Sequence, residues 1–245
     1  MDSTFGLLIQ CSTAAAIGAV HTLLGPDHYL PFAAMARAGR WSLRRTLGIT
    51  ALCGGGHVLA SIAVGMIAVA VGAAVTELDW IQATRGRLVG WLLLAFGLAY
   101  TVWGVRQAIR NRPHAHWHAH ADGTVHEHRH VHHGSHVHVH TGDEPMATAQ
   151  SAARMTPWIL FTIFIFGPCE PLIPLLMYAA ATNGASAVLI IALVYACATI
   201  GTMTALVAVC CLGWRRLPTA GPARYGHAAA GLVILACGAA VQLGL

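Results

Sequence analysis

Charge is scarce in this chain, and lysine is absent altogether. Charged residues make up 9% of its 245 residues and hydrophobic residues 56%, with a mean hydropathy of +0.62. A soluble domain carries about 25% charged residues, so this chain has too few to cover a surface in water. Because backbone groups in lipid must pair within the chain, we expect membrane-spanning helices. The short alternating strands of an outer-membrane barrel are missing from the sequence pattern.

Two further absences concern cysteine pairs and the start of the chain. None of the seven cysteines belongs to a CxxC pair, and all fall within apolar segments, so a disulfide scaffold is not indicated. Cysteines such as Cys11 and Cys237 are expected to be small apolar packing residues. The first apolar segment follows Asp2 rather than a basic stretch, so no cleavable signal peptide is expected.

Apolar runs near or above the roughly 20 residues that cross a bilayer recur along the chain. They cover about 4–24, 47–75, 88–108, 156–181, 185–212 and 226–245. The predicted fold class is therefore all-α, a polytopic membrane protein with six transmembrane helices. The predicted domains are a first three-helix repeat over 1–111, a His-rich cytosolic loop over 112–155 and a second three-helix repeat over 156–245.

The two halves contain similar motifs. GPDHYLPFAAM, residues 25–35, and GPCEPLIPLLM, residues 167–177, share the Gly-Pro pair, one leucine and one methionine in an ungapped alignment. Each motif carries prolines that interrupt the first helix of its half. An odd number of spans per half places the halves in opposite membrane orientations, as in inverted-repeat transporters. We therefore predict two inverted repeats with broken first helices.

The arginines are distributed unequally between the two sides of the predicted bundle. Twelve of the fourteen lie on one side, and only Arg85 and Arg87 lie on the other. The positive-inside rule places the twelve in the cytoplasm and both termini outside, in a multi-pass protein of the bacterial inner membrane. Because the charges are divided among membrane loops, the expected partners are the lipid bilayer and an ion, with no nucleic acid. A homo-oligomer is compatible with the sequence.

The segment 112–155 is a low-complexity tract in which twelve of the sixteen histidines lie. Such a tract cannot bury a core and is predicted to be disordered without a ligand. Alternating imidazoles suit nickel, cobalt, copper or zinc, so we predict metal binding. The alternatives are an inert polar linker and a pH-sensitive segment. The twelve are His114, His116, His118, His120, His126, His128, His130, His132, His133, His136, His138 and His140.

The motif HTLLGPDH, from His21 to His28, lies within a long apolar segment, where ionisable groups are costly and point to function. On an unbroken helix His21 and His28 would lie about 10.5 Å apart, too far for one metal with bonds of about 2.0–2.2 Å. Gly25 and Pro26 can interrupt the helix and fold Asp27 and His28 back toward His21. The motif predicts a metal site. The alternative is an ordinary kink with histidines bonded to nearby carbonyls.

Three more candidate ligands lie in the second helix and in the second Gly-Pro motif. His57 follows three glycines that permit close helix approach, and it could supply a third imidazole. Glu170 is a carboxylate at membrane depth, so a role as ligand or proton carrier is predicted. Cys169 precedes it in a proline-rich segment whose free carbonyls can line an ion path. A hydrogen-bonded His57 and a structural Glu170 are the alternatives.

Three glycines of the third helix recur every seven residues, at Gly90, Gly97 and Gly104. They therefore lie on one face of the helix. We predict that they allow another helix to approach closely.

Taken together, these motifs resemble the nickel/cobalt exporter (NicO) family and the UreH-like transmembrane proteins. The resemblance is carried by a first-helix histidine followed by an Asp-His pair, a second-helix histidine and a cytosolic His-rich loop. It implies transport of Ni²⁺ or Co²⁺ through a six-helix bundle, with His21, Asp27, His28 and His57 at the matching positions. The related nickel/cobalt permeases carry an HxxxxDH signature, whereas five residues separate His21 from Asp27 here.

The segment GPCEPLIP also resembles the proline-flanked cysteine motif of the CcdA/DsbD thiol-disulfide transporters. Those proteins need one redox cysteine in each half, and Asp27 stands at the matching position of the first half. A thiol-disulfide electron transporter is therefore an alternative function. A metal-binding membrane accessory protein that transports nothing is another.

The expected function is transport of a divalent transition metal across the inner membrane, with efflux favoured because the His-rich loop would collect metal in the cytosol. The expected substrate is Ni²⁺ or Co²⁺, with Zn²⁺ as an alternative. Neither enzymatic activity nor a tightly bound cofactor is expected. The candidate metal ligands are His21, Asp27, His28, His57, Cys169 and Glu170.

Overall fold

The computed structural model describes residues 3–71, 75–110, 114–119, 125–130, 147–167, 169, 171–216 and 223–244. Within these ranges five helices are long and apolar enough to cross a membrane, and Pro157–Phe166 is a shorter apolar helix. Large apolar side chains such as Leu59, Leu189 and Val209 are exposed on the outside of the bundle, as lipid contact requires. The chain is an all-α polytopic membrane protein in its membrane part, as predicted.

An interrupted first helix is followed along the chain by two long helices, a helix of 20 residues, a helix of 45 residues and a final helix of 18 residues. The elements are α1 (Ser3–Leu24), a 3₁₀ turn (Pro26–His28), α2 (Leu30–Ala38), α3 (Leu43–Val71), α4 (Val75–Arg110), β1 (His114–Ala119), β2 (Val125–His130), α5 (Ala147–Phe166), α6 (Leu172–Arg216), a 3₁₀ turn (Ala223–Tyr225) and α7 (Gly226–Leu243).

The first break is present where the Gly-Pro pair predicts it. The Gly25 N–H donates to the His21 carbonyl at 3.0 Å and completes the last turn of α1. Pro26 has no N–H to continue the helix, and the chain passes through a single 3₁₀ turn before α2 begins at Leu30. Asp27 and His28 therefore lie in irregular backbone between two helices.

The second break separates α5, which ends at Phe166, from α6, which begins at Leu172. Pro168 and Glu170, within this break, lie outside the described residues. Gly184 divides α6 with φ 75° and ψ −172°, a conformation that is essentially restricted to glycine. This residue falls between the predicted spans 156–181 and 185–212.

The predicted loop over 112–155 differs from the structure at two places. The strands β1 and β2 pair antiparallel, with His114 opposite His130, within a tract for which the sequence predicts no regular structure. Helix α5 begins at Ala147, whereas the apolar pattern predicts a helix only from residue 156. The reason is that residues 147–153 are rich in alanine, which favours a helix without being apolar enough to span lipid. The other residues of the loop lie outside the described ranges.

Helices α4 and α7 pack closely through small residues. A Cβ atom added at Gly97 would lie 2.5 Å from the backbone nitrogen of Leu235 and 3.0 Å from the carbonyl oxygen of Gly231. Gly104 likewise meets the backbone of Ala228, and Gly90 meets the side chain of Gln242. The predicted packing role of the glycine stripe is confirmed.

Replacing one of these glycines should loosen the bundle. Gly97→Leu is expected to destabilise the protein by about 1–3 kcal/mol, because a side chain cannot enter a backbone contact without moving a helix. The midpoint of thermal unfolding in detergent should fall. Gly48→Leu is the matched control, since Gly48 is exposed on α3 and nothing lies within 4 Å of an added Cβ. Equal midpoints for both variants would contradict the packing role.

Candidate metal centre

Three side chains that are distant in sequence converge beside the two breaks. The ligand atoms of His21, His57 and Cys169 all lie within 4.8 Å of one another. They come from α1, from α3 and from the segment between α5 and α6. His57 is 3% exposed and Cys169 is fully buried, so the group lies inside the bundle rather than on its surface.

The two ring nitrogens of His57 have different surroundings. Its Nδ1 lies 3.0 Å from the carbonyl oxygen of Phe164, and because a carbonyl only accepts, Nδ1 carries the proton. Nε2 is then an unprotonated acceptor, and it is buried with no hydrogen-bond partner in the described part of the chain. Histidines that bind metals typically donate a hydrogen bond through one ring nitrogen and bind the metal through the other, unprotonated nitrogen. His57 has this arrangement.

His28 lies between the other two imidazoles. Its ring centroid is 4.9 Å from that of His21 and 5.4 Å from that of His57. Its Nδ1 lies 3.1 Å from Asp27 Oδ1 and 3.2 Å from the Gly25 carbonyl oxygen. Both partners accept, so Nδ1 carries a proton and donates it. Asp27 therefore orients His28, as carboxylates orient metal-bound histidines elsewhere.

The glycine of each Gly-Pro motif makes room for one imidazole. A Cβ atom added at Gly25 would lie 2.5 Å from Nδ1 of His28. One added at Gly167 would lie 3.0 Å from Nδ1 of His57. Each of the two motifs therefore ends a helix and places the backbone of its glycine against a histidine ring.

Cys169 is fixed through both its backbone and its side chain. Its N–H donates to Ser61 Oγ at 3.3 Å, and its Sγ lies 3.2 Å from the hydroxyl oxygen of Tyr195. Ser61 follows His57 by four residues and so lies on the same face of α3. One face of that helix thus positions both an imidazole and the thiol.

A cavity of about 430 Å³ borders the site and includes His21, Asp27, His28 and His57 in its lining. It extends to Arg87, in the N-terminal half of α4, and to Gly244, just after α7. The cavity therefore leads from the site toward one end of the bundle.

Arg85 holds the broken end of α5. Its Nη2 donates to the carbonyl oxygens of Gly167 at 3.1 Å and Ile165 at 3.5 Å, and its Nη1 donates to Gln82 Oε1 at 2.9 Å. The last carbonyls of a helix lack intrahelical donors, and a cation there is favourable. Because Gly167 contacts the His57 ring, Arg85 positions a ligand that it does not touch.

Arg85→Gln should therefore weaken metal binding without removing a ligand. We expect the affinity to fall by roughly tenfold, since a cation at a helix C-terminus contributes up to ~1–2 kcal/mol. Arg85→Lys should recover part of the loss. Arg44→Gln is the matched control, because Arg44 is exposed on α3 and does not line the cavity. Equal affinities for Arg85→Gln and Arg44→Gln, from metal titration of the purified protein, would contradict this role.

The structure brings together four of the six residues that the sequence singles out as ligands. They are His21, His28, His57 and Cys169, with Asp27 hydrogen-bonded at the edge of the group. Glu170 lies outside the described residues, as do the side chains of the loop histidines. Ser61, Tyr195 and Arg85 are supporting residues that the sequence interpretation missed. Only Ser61 had a usable signal, its spacing of four from His57.

No family model matches the chain, and neither a curated protein nor a solved structure matches it.

Proposed function

We propose that this chain transports a divalent transition-metal ion across the bacterial inner membrane. The observation that carries the proposal is the cluster of His21, His57 and Cys169, with His28 beside it, at the base of a cavity among membrane helices. Nitrogen and sulfur donors of this kind suit transition metals rather than Mg²⁺ or Ca²⁺. Ni²⁺ and Co²⁺ are the substrates that the family resemblance implies, and Zn²⁺ fits the same donors.

The spacing of the donors suits a site that opens and closes. Ligand atoms around one tetrahedral ion lie about 3.3–3.8 Å apart when the bonds are about 2.0–2.3 Å, whereas those of the cluster are spread over as much as 4.8 Å. The cluster would have to contract to bind an ion. Because its members lie on separate elements, and His21 and Cys169 adjoin the two breaks, small movements of the broken segments could contract the cluster and release it again.

Six spans in two inverted repeats complete the proposal. In this arrangement α1 with α2 and α5 with the first part of α6 are the broken spans, and their breaks meet at the bilayer midplane, where such transporters bind substrate. The positive-inside rule puts the His-rich loop in the cytosol and the cavity on the outer side. Export is then favoured, since the loop would gather metal on the side to be cleared, and Glu170 is the proposed proton acceptor.

The test is metal flux by the purified full-length protein in proteoliposomes, measured for Ni²⁺, Co²⁺ and Zn²⁺ against protein-free vesicles. We expect saturable flux of at least one ion. Deleting residues 114–140 should lower affinity or alter regulation while flux persists, because the core site does not include the loop. Metal binding that disappears with the loop, together with no flux by the intact protein, would indicate an accessory protein and overturn the proposal.

A further inference from the structure

Cys169 combines features that packing alone does not explain. Its side chain is fully buried, and its Sγ belongs to the same 4.8 Å group as the ligand nitrogens of His21 and His57. A cysteine that only fills space can face any apolar neighbour. This one is directed into a polar group by a backbone hydrogen bond to Ser61 and by the Tyr195 hydroxyl.

The two imidazoles supply an independent observation. Nε2 of His21 and Nε2 of His57 are both buried without a hydrogen-bond partner among the described residues. Leaving a buried polar atom unsatisfied costs about 1–3 kcal/mol, so two such nitrogens, on rings that are grouped with one thiol, are an unfavourable arrangement for a purely structural core. A cation ligated through these two nitrogens would satisfy both at once.

We infer that Cys169 binds the transported ion as a thiolate, so that the substrate class is a thiophilic cation that accepts four-coordinate geometry, such as Zn²⁺ or Co²⁺. This inference rests on the proposed function and narrows its substrate. One sulfur and two or three imidazole nitrogens form a donor set typical of tetrahedral zinc sites. Square-planar or tetragonal nitrogen and oxygen ligation, which suits Ni²⁺, does not match a sulfur donor held between imidazoles.

The proton of the thiol must leave when the ion binds, because only the thiolate is a ligand. Binding to this site therefore releases one proton from Cys169 per ion, and affinity rises with pH. The Tyr195 hydroxyl, 3.2 Å from Sγ, can then donate to the thiolate and stabilise it, as hydrogen bonds to metal-bound sulfur do elsewhere.

The experiment is absorption spectroscopy of the purified full-length protein titrated with Co²⁺. Thiolate ligation gives an intense near-ultraviolet sulfur-to-cobalt charge-transfer band, which the imidazoles of the His-rich loop cannot produce. We expect this band in the natural protein, its loss in Cys169→Ser and in Cys169→Ala, and its retention in Cys237→Ser, where a cysteine of α7 that is also buried is changed. Zn²⁺ should abolish the band in competition more effectively than Ni²⁺, and Zn²⁺ affinity should fall by roughly 10- to 100-fold in Cys169→Ser.

Three outcomes would overturn the inference, and they are distinguishable. If Co²⁺ is transported in proteoliposomes but the natural protein shows no charge-transfer band, sulfur is not a ligand while the proposed function stands. If Co²⁺ produces neither a band nor flux, and Zn²⁺ and Ni²⁺ are not transported either, the proposed function fails together with the inference. A band that survives in both Cys169 variants would assign the thiolate to another cysteine and would also overturn it.

Discussion

His57→Ala is expected to abolish metal transport while the protein remains folded. His57 has a constrained ring, because its Nδ1 donates to Phe164 and its Nε2 is buried without a hydrogen-bond partner among the described residues, and the ring belongs to the cluster with His21 and Cys169. Loss of an outer-shell partner alone costs roughly 10- to 100-fold in metal affinity, and loss of a ligand should cost at least that much. We expect the initial rate of flux in proteoliposomes to fall by about 100-fold or more.

The control for this prediction is another histidine in a hydrogen bond between helices. His227 on α7 is half-buried, and its Nδ1 lies 2.7 Å from the hydroxyl oxygen of Tyr100. His227→Ala removes an imidazole on the same bundle that is less buried than His57 and lies away from the cavity lining. It should retain flux. If His57→Ala elutes as a folded protein and transports at the natural rate, His57 is not a ligand, and its bond to Phe164 is the whole of its role.

The sequence was sufficient to predict the breaks and the residues of the first motif. Proline and glycine act locally, so Gly25 and Pro26 predict an interruption wherever the rest of the chain lies. On a straight helix His21 and His28 would lie about 10.5 Å apart, too far to bind a single ion. A metal site at this motif therefore required an interruption of the helix. The structure contains it, and it brings the His21 and His28 rings to a centroid distance of 4.9 Å.

The supporting residues could not be predicted, because their roles depend on helices that meet only after folding. His57 and Phe164 are separated by 107 positions, and Arg85 and Gly167 by 82. No spacing rule along one helix connects residues so far apart. Tyr195 lies within a continuous apolar run and is indistinguishable there from an ordinary packing residue. Only the three-dimensional approach of α4 and α6 to the second break assigns these residues to the site.

Helix ends were predicted poorly for a related reason. Hydropathy finds the part of a helix that lipid surrounds, whereas the helix itself continues into water when its residues permit. Helix α4 begins at Val75 rather than near residue 88, and α5 begins at Ala147 rather than near 156. Both extra segments are polar or rich in small residues. These helix extensions do not change the predicted positions of the ligands, because the ligands are positioned by the breaks and not by the helix ends.

Gly25→Ala is expected to impair metal binding nearly as severely as the loss of a ligand. Gly25 has φ −89° and ψ 91°, torsions that alanine adopts readily, so backbone strain contributes little. The effect comes from space: an added Cβ would lie 2.5 Å from His28 Nδ1 and 3.0 Å from Asp27 Oδ1. Because Gly25 is held to α1 by its bond to the His21 carbonyl, the His28 ring must move instead. We expect Co²⁺ affinity and flux to fall by roughly 10- to 100-fold.

Gly55→Ala distinguishes this steric effect from a general effect of replacing glycine near the site. Gly55 lies in α3 two residues before His57, and nothing lies within 4 Å of a Cβ added there. Alanine is favoured over glycine in a helix by about 1 kcal/mol, so this variant should bind Co²⁺ normally and unfold at a slightly higher temperature.

Gly167→Ala, whose Cβ would meet the His57 ring at 3.0 Å, should give a smaller loss of Co²⁺ affinity than Gly25→Ala, because the contact is less severe. Unchanged Co²⁺ titration curves for both Gly25→Ala and Gly167→Ala would mean that neither histidine ring has to stay where the Gly-Pro motifs place it.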